Sequence, residues 1–503
     1  MQSLRISEQR PVVIIGAGIA GLVAAFELAS CGVPALVVET ADRPGGKMRR
    51  TLVGARPFDA GPTVLTMRWV FDELFADAGL SFAQHVPLRP AAILARHAWP
   101  DGSRLDLHAD SAHSAEAIAH FAGAEEGRRF LRFCAEARAT YRALEHDFIR
   151  GQRPSMPGLV GRISRRRPAD LLAIRPFENL WQALGRHFHD ARLRQLFGRY
   201  ATYCGSSPFE APATLMLVAH VEQEGVWLVE PGLFHLAEVL EQLARERGAR
   251  FRYGAQAVAI GTDAHGARSV ELAGGDVLSA GAVIVNADAA ALAQGRLGPS
   301  AAPAAAGAQD RPRSLSAMTW LVDAPTRGFE LSRHNVFFSN DYRAEFDALF
   351  GARTVPQDPT IYVCAQDRSA DAAPAAAAGA GGAERLLCLI NAPADGDRAD
   401  ARHDSGAQER VFGALARFGL QVDRAAGVLQ ETTPEHFARR YPGNGGALYG
   451  PASHGWRASF QRPGAATRVP GLYLAGGSVH PGPGVPMAAL SGRLAVQQLL
   501  ADR

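Results

Sequence analysis

The stretch that decides the fold is Pro11-Val-Val-Ile-Ile-Gly-Ala-Gly-Ile-Ala-Gly21. Its first five residues are wholly apolar, as expected of a strand buried in a parallel sheet. Residues 22–30 are apolar and rich in alanine, which predicts a helix, and Gly32 stands where a C-terminal glycine cap belongs. Residues 34–39 predict a second strand, so residues 11–39 form one βαβ unit.

The glycines of this unit have the spacing of a dinucleotide-binding turn. Gly16 permits the tight turn, Gly18 leaves room for a pyrophosphate, and Gly21 lets the helix pack on the strand. A pyrophosphate here meets the positive end of the helix dipole. Glu39 can accept hydrogen bonds from ribose hydroxyls, a solvated strand end being its alternative interpretation. The predicted contacts are Gly16, Ala17, Gly18, Ala20, Gly21 and Glu39.

The residues after Glu39 indicate that the dinucleotide is FAD. They include Gly45-Gly46-Lys47-Met48, and an extended FAD commonly passes close to a second glycine pair of this kind. A plain turn is the alternative. Lys47, the single lysine of the chain, could place a compact charge near phosphate or could stand there by chance. Residues 58–64 predict a tight turn under the cofactor, with contacts from Gly61, Pro62, Thr63 and Val64.

The far end of the chain supplies a third cofactor segment. Residues 471–475 predict a strand, residues 476–484 a rigid loop of glycine and proline, and residues 485–500 a helix. A reduced flavin carries negative charge, which a helix N-terminus stabilises by roughly 0.3–2 kcal/mol. We therefore expect the flavin end of FAD here, a purely structural loop being the alternative. The remaining predicted contacts are Ala257, Gly477, Ser478, Val485, Pro486 and Met487.

These segments lie far apart in the chain, which predicts a discontinuous domain. We expect an α/β protein whose Rossmann-like FAD-binding domain, of the glutathione-reductase and amine-oxidase type, comprises residues 1–90, 225–290 and 465–503. Short predicted strands at 250–253, 257–260, 269–272 and 282–286 fit its middle piece. Residues 91–224 and 291–464 would then build an α+β substrate-binding domain.

Composition excludes several classes of protein. The 53 basic and 50 acidic residues leave a net charge of +3, which argues against a general nucleic-acid binder. Five scattered cysteines form no CxxC pair, so we expect no metal site and a reducing, cytoplasmic compartment. No stretch approaches the about 18 apolar residues of a transmembrane helix.

Residues 150–200 form a basic, amphipathic region with eleven arginines and three acids. Pro176 can open a helix, and apolar residues follow at helical spacing. An apolar face with arginines is typical of an interfacial helix, so we expect peripheral association with the inner or intracytoplasmic membrane. An ordinary core-facing helix with a solvated basic back is the alternative. The apolar positions are Phe177, Leu180, Trp181, Leu184, Phe188, Leu193, Leu196, Phe197 and Tyr200.

Residues 16–21, 43–48, 59–63 and 471–493, with the central 199–212, resemble the bacterial carotenoid desaturases of the phytoene-desaturase type over nearly the whole chain. Residues 63–72, 333–339 and 361–368 are similar to one branch, the 1-hydroxycarotenoid 3,4-desaturases or methoxyneurosporene dehydrogenases. That branch serves the spheroidene and spirilloxanthin pathways of purple photosynthetic bacteria. Pro231-Gly-Leu233 departs from the Gly-Gly pair frequent in relatives, which puts the turn beneath the flavin in doubt.

The resemblance implies FAD-dependent insertion of a 3,4 double bond into a long, apolar 1-hydroxycarotenoid, with multi-step desaturation of phytoene as the alternative. Such a reaction moves a hydride to the flavin and a proton to a base. His480 lies in the flavin loop and is the candidate base or positioning group, a purely structural histidine being its alternative. An amine oxidase and a non-enzymatic isoprenoid carrier, like the GDP-dissociation inhibitors, are the rival functions on this fold.

Overall fold

The computed structural model describes residues 10–166, 178–368, 382–398 and 404–503. The residues around the first glycine turn lie in a five-stranded parallel sheet, in which Val12 pairs with both Ala35 and Ala282. The strands of the sheet come from all three pieces of the predicted FAD-binding domain, residues 1–90, 225–290 and 465–503. Its strands in spatial order are Leu472–Leu474, Ala282–Val285, Val12–Ile15, Ala35–Val38 and Arg250–Arg252.

Both faces of this sheet are covered, which explains its uninterrupted apolar strands. Val12 and Ile14 join the core beneath helix Ile19–Ser30, whose other neighbours are helices Val485–Ala501 and Phe234–Glu246. Val13 and Ile15 point the other way, into a second core under a three-stranded antiparallel sheet. That sheet consists of Ala257–Asp263, Gly266–Leu272 and Val277–Ser279. The predicted βαβ unit and the predicted strands of residues 250–286 are therefore confirmed.

A larger mixed sheet lies beside the parallel one, and its strands come from residues 91–224 and 291–464, the segments predicted to form the substrate-binding domain. Its core is built around the fully buried Trp320 and Phe337. Two short ladders join Arg50–Val53 to Arg56–Asp59 and Leu88–Pro90 to Trp227–Val229. The eight strands are Ile93–Ala98, Arg104–His108, Ser316–Gly328, His334–Phe337, Ile361–Ala365, Ala383–Ala392, Leu420–Val422 and Val428–Thr432.

Further helices cover the two sheets. The α-helices are Trp69–Asp77, Phe82–His85, Ser111–Ala122, Ala124–Leu144, Met156–Arg166, Leu180–His187, Ala191–Gly198, Leu217–Gln223, Ala289–Ala293, Tyr342–Phe346, Ala407–Arg417, Pro434–Arg440 and Ala458–Gln461. Shorter 3-10 or π turns occur at Glu145–Ile149, Arg199–Cys204, Ala213–Met216, Ala302–Ala305, Asp347–Ala352 and Arg424–Ala426.

From residue 178 on, the basic region does not present the apolar face that an interfacial helix needs. Pro176 and Phe177 lie outside the described residues, but Leu180, Leu184 and Phe188 are completely buried in the protein core. The Phe188 ring stacks on Phe197 with centroids 4.9 Å apart. The interfacial prediction is therefore wrong for residues 178–200, and the core-facing alternative is right. Helical spacing reveals that a stripe is buried, but it does not reveal what buries it.

No helix within the described part of the chain is both long and apolar enough to cross a membrane. Peripheral association with a membrane surface stays a prediction. Residues 178–200 no longer support it, because their apolar side chains are buried in the protein core.

Removing the Phe188 ring should destabilise the fold strongly. Phe188→Ala leaves a cavity among aromatic rings that are fully buried, so we expect a loss of about 3–5 kcal/mol in the free energy of unfolding. Leu131→Ala, on an exposed position of helix Ala124–Leu144, is the control and should cost less than about 0.5 kcal/mol. Urea unfolding of the FAD-loaded protein measures both. Equal, small losses would show that Phe188 is not a core residue.

Candidate cofactor and substrate site

The first glycine turn is packed so closely that side chains have no room. Gly16 has a positive φ of 101°, and its amide donates to Val38 O over 2.8 Å. A Cβ on Gly21 would lie 2.1 Å from Gly16 O, and a Cβ on Gly46 would lie 3.1 Å from Gly18 Cα. The two predicted glycine segments therefore meet, and together they leave bare backbone at the N-terminus of helix Ile19–Ser30.

Glu39 fixes this turn from the end of its strand. Its two carboxylate oxygens accept hydrogen bonds from the amides of Ala17 and Ala41, over 2.7 and 2.8 Å. A carboxylate has about four lone-pair sites, so Glu39 keeps the capacity to accept from ribose hydroxyls. That contact stays a prediction.

Lys47 is tied to a distant part of the chain. Its Nζ donates to Leu448 O over 2.7 Å and lies 5.6 Å from the centroid of the Tyr441 ring. The Tyr441 hydroxyl in turn donates to Gly46 O over 2.7 Å. Burial lowers the pKa of Lys47, while Asp288 opposes that shift. Lys47 therefore joins two segments of the site, and its predicted contact with phosphate stays a prediction.

Arg462, which the sequence pattern did not reveal, anchors the C-terminal loop. It is 2% exposed and donates to the carbonyl oxygens of Tyr449, Pro451 and Gly477 over 2.8–3.1 Å. Burial lowers its pKa to about 10. Gly484, the last residue of this loop, has a φ of 109° and precedes helix Val485–Ala501. The loop is therefore fixed, and it aims a helix N-terminus at the site.

One continuous cavity of about 1810 Å³ joins all three predicted cofactor segments. Of the predicted contacts, four do not line it: Ala17, Ala20, Gly21 and His480. The predicted contacts that do line it are Gly16, Gly18, Glu39, Gly45, Gly46, Lys47, Met48, Gly61, Pro62, Thr63, Val64, Ala257, Gly477, Ser478, Val485, Pro486 and Met487.

His480 lies behind the cavity wall. Its Nε2 is 3.0 Å from Gly151 O and donates to it, and its ring packs edge-on against Phe148. Burial lowers the pKa of His480 to about 4, so the imidazole is neutral near pH 7. Phe148 lines the cavity and His480 does not, so the geometry matches the structural alternative for this residue better than the role of base.

The unusual turn at residues 231–233 is held by Asp59. The amide of Leu233 donates to Asp59 Oδ2 over 2.6 Å, and a Cβ on Gly232 would lie 2.5 Å from the same oxygen. None of these three residues lines the cavity. The departure from a Gly-Gly pair therefore concerns the residues that hold Asp59, and with it residues 58–64, in place. It does not alter the cavity wall itself.

Away from the glycine turns the cavity becomes an apolar tunnel. Its wall there is formed mainly by aliphatic and aromatic side chains, as a pocket for a long apolar ligand requires. Its wall combines residues of the helical turns Glu145–Ile149, Arg199–Cys204 and Ala213–Met216 with residues of the mixed sheet. Its apolar residues include Leu94, Leu144, Phe148, Ile149, Leu215, Val218, Val221, Val226, Val336, Leu387 and Leu389.

A polar cluster interrupts this apolar wall. Within it Tyr362 OH lies 2.6 Å from Thr63 Oγ1 and 2.8 Å from His334 Nδ1. Burial, with the nearby arginines 333 and 199, lowers the pKa of His334 to about 3, so its imidazole is neutral. The tunnel is therefore connected by side-chain hydrogen bonds to residues 58–64, the turn predicted to lie under the cofactor. The polar cluster comprises Thr63, Arg199, Tyr203, Glu222, His334, Tyr342, Glu345 and Tyr362.

Two carboxyl groups of the polar cluster are buried. Glu345 accepts hydrogen bonds from Ser339 and Thr360 over 2.8 and 2.6 Å, and burial raises its pKa to about 7. Glu222 accepts from Tyr200 OH over 2.7 Å, and burial raises its pKa as well. Glu345 can therefore hold a proton near neutral pH, which no sequence pattern indicated.

The bare glycine turn, the acidic strand end and the two helix N-termini fit an extended dinucleotide, and they define a flavin-dependent oxidoreductase. Residues 19–500 match the flavin-containing amine oxidoreductases, and the chain belongs to that family. FAD is its cofactor.

The chain is similar to three curated proteins called hydroxyneurosporene desaturase. It is 51% identical to that of Rubrivivax gelatinosus, over 97% of this chain and 93% of the relative. It is 43% identical to that of Cereibacter sphaeroides, over 98% and 97%. The zeta-carotene-forming phytoene desaturase of Myxococcus xanthus is 31% identical, over 98% and 94%.

Solved structures of flavin amine oxidases share the fold. Putrescine oxidase superposes with a TM-score of 0.63 at 16% identity, covering 98% of this chain and 99% of that one. Cyclohexylamine oxidase from Brevibacterium oxydans gives 0.61 at 16% identity, covering 98% of each. The predicted amine-oxidase type of fold is confirmed.

Gly18→Val should abolish FAD binding. Even the Cβ would lie 3.0 Å from Asn286 Nδ2, and the two methyl groups would fill the space against which a pyrophosphate packs. Gly185→Val is the control because nothing lies within 4 Å of its Cβ. The ratio of flavin to protein absorbance in the purified proteins measures binding. Stoichiometric FAD in the Gly18 variant would refute this position of the cofactor.

Glu345→Gln should gain stability relative to wild type as the pH rises. The folded protein keeps the Glu345 proton up to about pH 7, whereas the unfolded chain releases it near 4.5. Unfolding therefore releases a proton between these values, so the contribution of Glu345 to stability falls with rising pH. We expect the Tm of the variant minus that of wild type to increase from pH 5 to pH 8. The exposed Glu116→Gln is the control, and an unchanged difference for Glu345→Gln would contradict the raised pKa.

Proposed function

We propose that this protein is an FAD-dependent desaturase that introduces the 3,4 double bond of acyclic 1-hydroxycarotenoids in carotenoid biosynthesis. The observation that carries the proposal is the 51% identity, over 97% of the chain, to a protein named hydroxyneurosporene desaturase. The apolar tunnel supports it, since its wall suits a long polyene and opens directly onto the cofactor segments.

The side chains of the tunnel can perform the protein's share of this reaction. Bound FAD supplies the hydride acceptor. The apolar wall excludes water and holds the polyene in one orientation. Glu222 and Glu345 line the same cavity and can take up the proton that leaves the neighbouring carbon, because burial has raised the pKa of both.

Two alternatives have weaker support. Multi-step desaturation of phytoene rests on relatives such as the Myxococcus xanthus protein, whose identity to this chain is 31%. Amine oxidation rests on likeness to structures at 16% identity, which concerns the fold alone. A tunnel lined mainly by aliphatic side chains suits a carotenoid better than a small, charged amine.

Product chromatography separates these functions. The purified FAD-loaded protein receives 1-hydroxyneurosporene or phytoene in separate reactions. Each reaction is run once without oxygen, to follow bleaching of the flavin in a single turnover, and once in air, so that oxygen can reoxidise the flavin between turnovers. We expect one new double bond next to the hydroxylated end, with the flavin reduced in the same turnover. Efficient multi-step desaturation of phytoene, without turnover of the hydroxylated substrate, would replace the proposal by its alternative. Peroxide release with an amine alone would favour the amine oxidases.

A further inference from the structure

Arg199 lines the apolar tunnel and forms no ion pair with a described carboxylate, although it lies close enough to Glu222 to oppose the rise in the pKa of that group. Its Nη1 donates to Tyr203 OH over 3.1 Å, and its guanidinium lies 5.3 and 5.4 Å from the ring centroids of Tyr203 and Tyr362. In the described part of the chain, no carboxylate oxygen lies within 4 Å of it, and Tyr203 OH is the only acceptor of its side-chain N–H groups. Several donors of a permanent cation therefore face the cavity.

An arginine cannot avoid the cost of unsatisfied donors by losing its proton, because its pKa is too high. The two tyrosine rings offset part of the cost by cation–π attraction, but they accept no hydrogen bond in the plane of the guanidinium. The same region contains two further unsatisfied groups, since His334 Nε2 and Tyr342 OH are buried and have no hydrogen-bond partner among the described residues. The tunnel wall is thus prepared for a ligand that carries oxygen.

We propose that Arg199 donates a hydrogen bond to the terminal hydroxyl oxygen of the substrate and thereby selects hydroxylated acyclic carotenoids over hydrocarbons. This inference rests on the proposed function and assigns its specificity to one residue. The hydroxyl oxygen accepts through its lone pairs, and a fixed, planar set of donors is well suited to it.

The position of Arg199 agrees with the chemistry. The hydroxyl stands on carbon 1 and the new bond joins carbons 3 and 4, so the group that binds the hydroxyl has to lie near the cofactor. Arg199 lies over the ring of Tyr362, whose hydroxyl is bonded to Thr63 in the turn predicted to lie under the cofactor. An arginine keeps its proton near neutral pH, so its guanidinium cannot take up the proton that leaves the substrate. Arg199 is therefore a residue of specificity and not the proton acceptor.

The test compares two substrates that differ in one hydroxyl, 1-hydroxyneurosporene and 1,2-dihydroneurosporene. Arg199→Met removes the charge and the donors and keeps an apolar stem, whereas Arg199→Lys keeps the charge on a shorter group. Wild type should prefer the hydroxylated substrate in kcat/KM by roughly 10- to 100-fold. The methionine variant should lower that preference to less than about threefold, through the hydroxylated substrate alone, and the lysine variant should fall between them.

The control is Arg104→Met, because the guanidinium of the exposed Arg104 also rests on an aromatic ring, that of Phe329, but lies away from the cavity. It should leave the preference unchanged. A wild-type preference in Arg199→Met with full FAD occupancy would overturn the inference. If the methionine variant does not retain FAD, an unchanged preference in Arg199→Lys would overturn it as well.

Binding distinguishes this inference from the proposed function. Carotenoid difference spectra, recorded while each substrate is titrated into the FAD-loaded protein, report affinity whether or not turnover occurs. A hydroxyl preference in binding that disappears in Arg199→Met supports the inference even if no double bond forms, which would refute only the proposed function. Equal affinity of wild type for the two substrates would refute the inference and leave desaturation standing.

Discussion

The cofactor site depends on a backbone that carries no side chains where helix Ile19–Ser30 begins. The carboxamide of Asn286 donates to Gly16 O over 3.1 Å, and the Gly45 amide donates to Ala17 O over 2.9 Å. Both contacts need the two segments of the backbone to approach to van der Waals distance, which a Cβ on Gly18 or Gly46 would hinder. Hydrogen bonds therefore hold these segments together, and the glycines allow the close approach that the hydrogen bonds need.

Three cations that line the cavity have different kinds of hydrogen-bond partner. Lys47 and Arg462 donate to backbone carbonyl oxygens, so each spends its hydrogen bonds on joining separate segments of the wall. Arg199 makes one bond to a tyrosine hydroxyl and otherwise faces the tunnel. The same cavity thus contains cations whose hydrogen bonds join parts of the protein and one cation, Arg199, that we propose to bind the substrate. Their hydrogen-bond partners distinguish the two kinds.

The sequence predicted the parts of the site that local chemistry determines. The glycine spacing, the acidic strand end and the C-terminal loop each require particular residue types within a few positions, so they could be recognised one segment at a time. The tunnel could not be recognised in this way, since Arg199, His334 and Tyr362 meet only because distant strands and helices pack together. Similarly, the apolar residues of helix Leu180–His187 reveal a buried stripe, but only the packed structure shows that protein and not lipid covers it.

One edge strand of the parallel sheet is made late. Leu472–Leu474 pairs directly with Ala282–Val285, so that side of Ala282–Val285 is covered only after the ribosome has made residue 474. Until then the edge presents Val283, Ile284 and Val285 with open backbone groups, and such an edge recruits other chains readily. Helix Val485–Ala501, which packs on the first helix, is made later still. A ribosome that stopped before residue 472 would therefore release a chain that lacks this edge strand and the predicted flavin end of the cofactor site, so helix Val485–Ala501 has to be made before the predicted site is complete.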